Sequence, residues 1–195
     1  MRIRDGRSWL AVAILLVATG WPTARAEGGE PPDATPRPSA LLPIPNARIP
    51  LAEVLSGGQP TPDQIEAAAR AGFRTVINLR SDGETGFEWE AETVERLGLR
   101  YVRIPVAGER DLTRERVEQL DSALSSGLER GPVLLHCASG NRIGAMLALR
   151  AAWLGGLPPD EALEFGVASG LTGLYQATSR RLGTAVADPA AAPRE

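Results

Sequence analysis

The chain has very few of the side chains that build disulfides and transition-metal sites. Its 195 residues include one cysteine, one histidine and no lysine. A single cysteine cannot form an internal disulfide, and one histidine beside one cysteine is too small a set for a zinc site. All positive charge comes from arginine, the formal net charge is −3, and no basic stripe indicates nucleic-acid binding. These absences exclude several classes of function and make the positions of the two lone residues informative.

The first 26 residues are typical of a secretory signal peptide. Arginines at positions 2, 4 and 7 precede an apolar stretch from Trp9 to Val17, and Ala24-Arg25-Ala26 fits a cleavage site. We therefore expect a periplasmic or secreted protein that starts at Glu27 and has no stable membrane insertion after cleavage. The alternative is an anchor that remains uncleaved.

The rest of the chain predicts one domain between two loose segments. Residues 27–47 are rich in proline, alanine, glutamate and glycine, which is typical of a disordered linker. Residues 48–183 form the predicted domain, and residues 184–195 form a loose tail.

Strand and helix patterns alternate along the predicted domain. Helices are predicted from Thr61 to Ala71, over 86–97, over 113–128, and in two or three pieces between 142 and 182. Strands are predicted over 73–79, 100–106 and 132–136. This alternation predicts an α/β fold with a mostly parallel central sheet flanked by helices. Ligands of such folds bind at the carboxyl ends of the strands.

The lone histidine and the lone cysteine are neighbours in a loop, His136-Cys137-Ala138-Ser139-Gly140-Asn141-Arg142. An apolar strand signal precedes this loop and a buried-helix signal follows it. The free N–H groups at a helix start favour an anion, including a thiolate, and the planar Arg142 side chain suits a phosphate. A thiolate in this place can attack phosphorus or accept a sulfur atom. A buried structural cysteine and a buried histidine without a chemical role are the simpler interpretations.

The pattern Cys-x-x-Gly-x-Arg preceded by histidine resembles the signature loop of the protein tyrosine and dual-specificity phosphatase superfamily. Residues 56–61, Ser-Gly-Gly-Gln-Pro-Thr, and residues 72–80 resemble a bacterial subgroup, the beta-lactamase-hydrolase-like phosphatases and those fused to NAD kinase. The resemblance spans about residues 48–180. It implies a dual-specificity-phosphatase-like fold and hydrolysis of phosphate monoesters through a phospho-cysteine intermediate. It also implies a phosphorylated protein or small phosphoester as substrate, and no metal or cofactor.

The chemistry and the resemblance together assign roles to the loop residues. Cys137 is the expected nucleophile, and Arg142 is the expected phosphate clamp. The expected cradle for the phosphate oxygens consists of the backbone amides of Ala138, Ser139, Gly140 and Asn141. His136, grouped with this substrate-binding loop, is expected to hydrogen-bond the backbone and help keep the thiol ionised. The superfamily also uses an acid to protonate the leaving oxygen. Asp111 is the first candidate for that acid, followed by Glu109 and Asp82.

Two departures from the phosphatase pattern keep other functions open. Four residues separate Cys137 from Arg142 where the usual phosphatase loop has five, and Ile143 replaces the usual serine or threonine. Four is the spacing of many rhodanese loops, so a sulfurtransferase is the first alternative. The missing hydroxyl and the undecided acid favour a second alternative, a phosphate-binding module with weak or no catalysis.

Overall fold

The computed structural model describes residues 42–184. The predicted signal peptide, most of the predicted linker and the tail after Thr184 lie outside the described residues. Five strands form one sheet in the order β1-β2-β5-β3-β4: β1 Arg48–Leu51, β2 Val54–Gly57, β3 Thr75–Asn78, β4 Arg100–Arg103 and β5 Val133–His136. Only β1 and β2 pair antiparallel among these strands, which confirms the predicted mostly parallel sheet.

Six α-helices surround the sheet in the described part of the chain. They are α1 Pro62–Arg70, α2 Glu90–Arg96, α3 Arg114–Leu128, α4 Asn141–Trp153, α5 Pro159–Ala168 and α6 Tyr175–Leu182. The start of α1 is fixed by a capping box in which Thr61 and Gln64 exchange hydrogen bonds. Thr113 caps α3 with a single hydrogen bond, which its side chain accepts from the backbone N–H of Arg116. No helix within residues 42–184 combines the length and the apolar character that crossing a membrane requires.

The central strand β5 places the cysteine loop at the carboxyl edge of the sheet. All four residues of β5 are buried, and its last residue, His136, pairs with Gly57 of β2 on one side and Asn78 of β3 on the other. Leu134 joins the core under α1 and α2, whereas Leu135 joins the core under α3 and α4. Because successive side chains of a strand point to opposite faces, β5 anchors both cores. The residue after β5 therefore has little freedom to move.

The folded part begins before the predicted boundary at residue 48. Leu42 and Ile44 are only 1% and 4% exposed and pack with Leu55 and Phe73 in the core under α1. The predicted linker therefore does not extend over residues 42–47. The hairpin of β1 and β2 was also absent from the prediction. Its turn contains Glu53 in the left-handed region, with φ of 58°, where a hairpin turn ordinarily has glycine or asparagine.

The second helix is shorter than its prediction. It starts at Glu90 rather than near residue 86. Phe87 is buried between the guanidinium groups of Arg80 and Arg103, which lie 4.7 and 4.9 Å from the ring centre. Stacking of this kind holds the preceding segment as a turn. The helix therefore begins after Phe87, at Glu90.

The helices α4 and α5 touch through two glycines. A Cβ atom at Gly144 would lie 2.1 Å from the backbone nitrogen of Leu171 and 2.6 Å from the carbonyl oxygen of Gly166. Both obstacles are backbone atoms, so they cannot rotate away as a side chain could. This contact fixes α4, and with it the loop that starts α4.

We expect Gly144→Ala to lower the free energy of unfolding by about 2–3 kcal/mol, because the added methyl group forces the two helices apart. The matched control is Gly83→Ala, where the added Cβ meets nothing within 4 Å. The control should change stability by less than about 0.5 kcal/mol. Urea denaturation measures both values, and equal effects of the two substitutions would contradict the packing argument.

Candidate active site

The cysteine is the first residue of the loop between β5 and α4. Cys137 is fully buried, and the backbone N–H of Gly140 donates a hydrogen bond to its Sγ atom over 3.0 Å. Gly140 is the N-cap of α4 and has a φ of 95°, a conformation that glycine adopts without strain. An N–H donor directed at sulfur favours a negatively charged thiolate over a neutral thiol. The first residues of the loop therefore suit a nucleophilic sulfur.

The loop carbonyls are committed to neighbouring segments on its outer side. Ala138 accepts a hydrogen bond from the backbone N–H of Gln59 over 3.3 Å, and Ser139 accepts one from the Asn46 side chain over 3.0 Å. By contrast, no hydrogen bond described for residues 42–184 uses the amides of Ala138 and Ser139 as donors. The amides that start α4 are free of helix partners, as at any helix start. The loop thus keeps several donors for an anion.

Asn141 has a structural role that the sequence did not reveal. Its Oδ1 atom accepts hydrogen bonds from the backbone N–H groups of Thr172, over 2.8 Å, and Leu174, over 3.2 Å. These two residues belong to the connection between α5 and α6. The side chain of Asn141 therefore ties that connection to the loop, while its backbone amide remains at the helix start.

The guanidinium of Arg142 is held by a carboxylate and by two backbone carbonyls, those of Leu79 after β3 and Val106 after β4. Nη1 and Nη2 each donate to one oxygen of Glu84, the second over 2.9 Å, and Nη1 also donates to the carbonyl of Val106 over 3.0 Å. The side chain is only 13% exposed. Hydrogen bonds to Glu84 raise the pKa of Arg142, and the nearby Cys137 acts in the same direction. Arg142 is therefore a permanent cation in a fixed orientation.

This arrangement leaves one edge of the guanidinium available. An arginine side chain carries five N–H donors in a planar fork. The bonds to Glu84 and Val106 occupy the Nη1 group and one hydrogen of Nη2. The remaining Nε–H and Nη2–H lie on one edge, and no oxygen within residues 42–184 is described as accepting from Nε. Two parallel donors of this kind match two oxygens of a phosphate.

Glu84 is a site residue that the sequence analysis did not identify. Its carboxylate accepts hydrogen bonds from Ser81 N, over 2.7 Å, and Arg80 Nε, over 3.1 Å, in addition to the two from Arg142. The hydrogen bonds from Arg142 are the largest cause of a pKa far below the ordinary value of 4.5. The spacing of Arg80 and Glu84 in the turn after β3 was the available signal. That turn and the cysteine loop are far apart in the sequence and come together only in the folded chain.

The side chain of His136, which the sequence analysis grouped with the substrate-binding loop, is fully buried. The expectation that it hydrogen-bonds the backbone is wrong for its ring. The Nε2 atom lies 2.8 Å from Oε1 of Glu90, whose side chain is also fully buried. The contact has ion-pair distance, although the ring N–H is not aligned for a regular hydrogen bond. The reason is tertiary: the start of α2 covers this end of β5.

The three acids proposed as proton donors lie in different environments. Asp111 closes its own turn, since its Oδ2 atom accepts from the backbone N–H of Ala107 over 2.6 Å. Glu109 pairs with Arg180 of α6 over 2.9 Å, and Asp82 is largely exposed and pairs with Arg103 over 2.6 Å. Asp111 lies five residues after Val106, whose carbonyl oxygen accepts a hydrogen bond from Arg142. No described hydrogen bond or ion pair joins any of the three acids to residues 137–142.

Comparison with known proteins places this geometry in a family. The model of the phosphatase-like domain of beta-lactamase hydrolase-like proteins matches residues 50–153, which include the loop and Glu84. The chain belongs to this family. Its fold is that of the protein tyrosine and dual-specificity phosphatase superfamily, so the resemblance seen in the sequence is confirmed.

Individual relatives agree with the family match. A beta-lactamase hydrolase-like protein of Xylella fastidiosa (strain Temecula1) is 36% identical over 117 residues, covering 58% of this chain and 26% of that protein. The chain thus spans about a quarter of the length of this curated relative. A protein of Shewanella putrefaciens CN-32, described as a phosphatase of the DUF442 group, has a crystal structure that matches with a TM-score of 0.59. Its sequence is 26% identical, and the match covers 72% of this chain and 93% of that chain. The active form of Tk-PTP, at 22% identity and a TM-score of 0.54, covers 71% of this chain and 96% of that chain and shares the fold.

We expect Glu84→Gln to reduce the dependence of stability on pH in acid. A carboxylate whose pKa is lowered by folding contributes its full stability above about pH 4.5, and that contribution is lost as the pH falls further. The wild-type protein should therefore lose more stability than Glu84→Gln between pH 5 and pH 3. Urea denaturation at several pH values measures the difference. Glu95→Gln, an exposed position on α2, is the control and should follow the wild type.

Proposed function

We propose that this chain is a thiol-dependent phosphatase that hydrolyses phosphate monoesters. The observation that carries the proposal is the free edge of the Arg142 guanidinium, which Glu84 fixes at the end of a loop in which the Gly140 amide donates to the sulfur of a buried cysteine. A cation with two parallel donors and several amide donors together suit the three oxygens of a transferring phosphoryl group. The family to which the chain belongs supports the same chemistry.

The proposed reaction proceeds in two displacements at phosphorus. The Cys137 thiolate attacks the phosphorus atom, an S–P bond forms, and the P–O bond to the leaving alcohol breaks. The departing oxygen takes a proton from an acid, for which Asp111 remains the first candidate because it follows the segment that holds Arg142. Water then attacks the phospho-cysteine, and inorganic phosphate and the thiolate are released. Charge on the phosphoryl oxygens is stabilised throughout by Arg142 and the loop amides.

The substrate class and the location belong to the same proposal. A phosphorylated protein, at tyrosine or in the dual-specificity manner, or a small phosphoester would present the monoester that the loop accepts. The signal-like residues 1–26 support export to the periplasm or beyond. The chain spans 26% of its Xylella relative, so the proposal concerns the phosphatase-like domain alone.

Two specific observations support other functions. The loop has four residues between Cys137 and Arg142, which favours a sulfurtransferase that carries sulfur as a persulfide on Cys137. Ile143 is fully buried where a hydroxyl would assist release of the cysteine, and the acids are engaged in other contacts. These features favour a module that binds phosphate and turns it over slowly. Each alternative uses the same loop, so they differ in reaction and not in place.

We expect the mature chain, under reducing conditions, to hydrolyse para-nitrophenyl phosphate, and Cys137→Ser to abolish the activity because the hydroxyl is a far weaker nucleophile. Orthovanadate should inhibit the wild type. Thiocyanate release from thiosulfate and cyanide, without phosphatase activity, would instead establish the sulfurtransferase. If the wild type binds phosphate but catalyses neither reaction, the chain is a phosphate-binding module.

We expect Arg142→Lys to lower kcat for the same ester by about 100-fold or more, because an ammonium group cannot replace two parallel donors in the transition state. The control is Arg114→Lys, an exposed arginine paired with Glu118 on α3. The control should retain wild-type kcat. An Arg142→Lys variant with nearly full activity would contradict the role of the guanidinium fork.

A further inference from the structure

A single buried carboxylate joins the segments behind the cysteine loop. Glu90, the first residue of α2, is fully buried. Its Oε2 atom accepts hydrogen bonds from Asn78 of β3, over 2.7 Å, and Tyr101 of β4, over 3.1 Å. Its Oε1 atom accepts one from Gln59 over 3.3 Å and lies 2.8 Å from Nε2 of His136. Four neighbours from four separate segments therefore converge on one side chain.

The contacts of Glu90 are mostly with hydrogen-bond donors. Asn78 and Gln59 present N–H donors, and the Tyr101 hydroxyl donates to Glu90 while it accepts from Asn78. Burial is the main cause of the raised pKa of Tyr101, and the negative charge of Glu90 adds to it. A buried carboxylate is stable only when donors and an opposite charge compensate for lost hydration. The donors are present, and the nearest group able to supply the charge is the imidazole of His136.

We propose that Glu90 is a positioning residue that acts through His136, holding the imidazole positively charged directly before Cys137 and so favouring the thiolate. The proposal rests on the phosphatase function proposed above, since it explains how that nucleophile is prepared. It adds to that function a role for Glu90, which lies 47 positions before Cys137 in the sequence and is too deeply buried to reach the substrate. A cation next to a thiol lowers the free energy of the thiolate, and Glu90 makes that cation tolerable in a buried place.

His136 is surrounded by residues of β2, β3 and α2. The neighbours without charge are Gly57 of β2 and Asn78 of β3. In the described part of the chain, the titratable group in contact with the ring is Glu90, and Cys137 follows in the sequence. Tyr101 is linked to His136 through Glu90, and Arg80 is linked to it through Gln59 and Glu90. Glu90 is the carboxylate in contact with the ring, at 2.8 Å from Nε2.

The same chain of contacts continues to the other end of the loop. Arg80 donates to Gln59 Oε1 over 2.9 Å and to Glu84 over 3.1 Å, and Glu84 holds Arg142. Glu90 therefore belongs to one polar network that touches both the residue before the cysteine and the arginine that closes the loop. This continuity supports a positioning role and distinguishes Glu90 from an isolated buried acid.

The test uses the fact that Cys137 is the only cysteine of the chain. Alkylation by iodoacetamide, followed by intact mass measurement, reports the reactivity of this thiol alone. We expect Glu90→Gln to slow alkylation about five- to tenfold at pH 6 and to leave the rate at pH 9 within about twofold of the wild type, because only the thiolate reacts. Glu90→Asp keeps the charge and should recover most of the rate at pH 6. Glu95→Gln, on the exposed side of α2, is the control.

A second variant keeps the test decisive if Glu90→Gln does not fold, as judged by circular dichroism. His136→Gln should then show the same selective loss at pH 6, and where both variants fold, the double variant should be no slower than either. An unchanged rate at pH 6, or an equal loss at both pH values, would overturn the proposal. Alkylation needs no turnover, so a selective loss at pH 6 in a protein without phosphatase activity would refute the proposed function and retain the role of Glu90.

Discussion

The contact between Arg142 and Glu84 fixes the orientation on which the geometry of the whole loop depends. An arginine side chain has many rotamers, and a flexible one would lose much of its binding energy in becoming ordered. Here two hydrogen bonds to Glu84 and one to the carbonyl of Val106 order the side chain before any ligand arrives. The acceptors come from the turn after β3 and the segment after β4, so the sheet itself sets the direction of the free donor edge. A preorganised cation of this kind is the largest single source of stabilisation in many phosphoryl transfers.

The opposite side of the loop is organised by burial. Glu90 and His136 are both inaccessible to water, and neutral donors surround the carboxylate on its other sides. Removing one member of such a set leaves an uncompensated buried charge, which is why these contacts constrain position strongly. The loop is thus held at one end by the contacts of Arg142, which is slightly exposed, and at the other end by the contacts of the fully buried His136. The cysteine lies between the two, one residue after His136.

Much of the sheet and of the loop could be predicted from the sequence because the signals are local. The capping box at Thr61, the buried strand before His136 and the cysteine loop each lie within a few consecutive residues. Other features depend on tertiary contacts. The hairpin turn at Glu53 lacks turn-forming residues, and Leu42 lies in a segment whose composition resembles a linker. Glu84 and Glu90 look in the sequence like ordinary solvated acids, since nothing local shows that a sheet edge brings Arg142 and His136 against them.

The most direct test of the central claim is to look for phosphate on Cys137 itself. The mature chain is mixed with radiolabelled phosphate monoester, quenched in acid within milliseconds, digested, and the labelled peptide identified. The account predicts label on the peptide that contains Cys137, lost in Cys137→Ser and accumulating if Ile143 slows release of the cysteine. Hydrolysis without label on that peptide would contradict a phospho-cysteine intermediate.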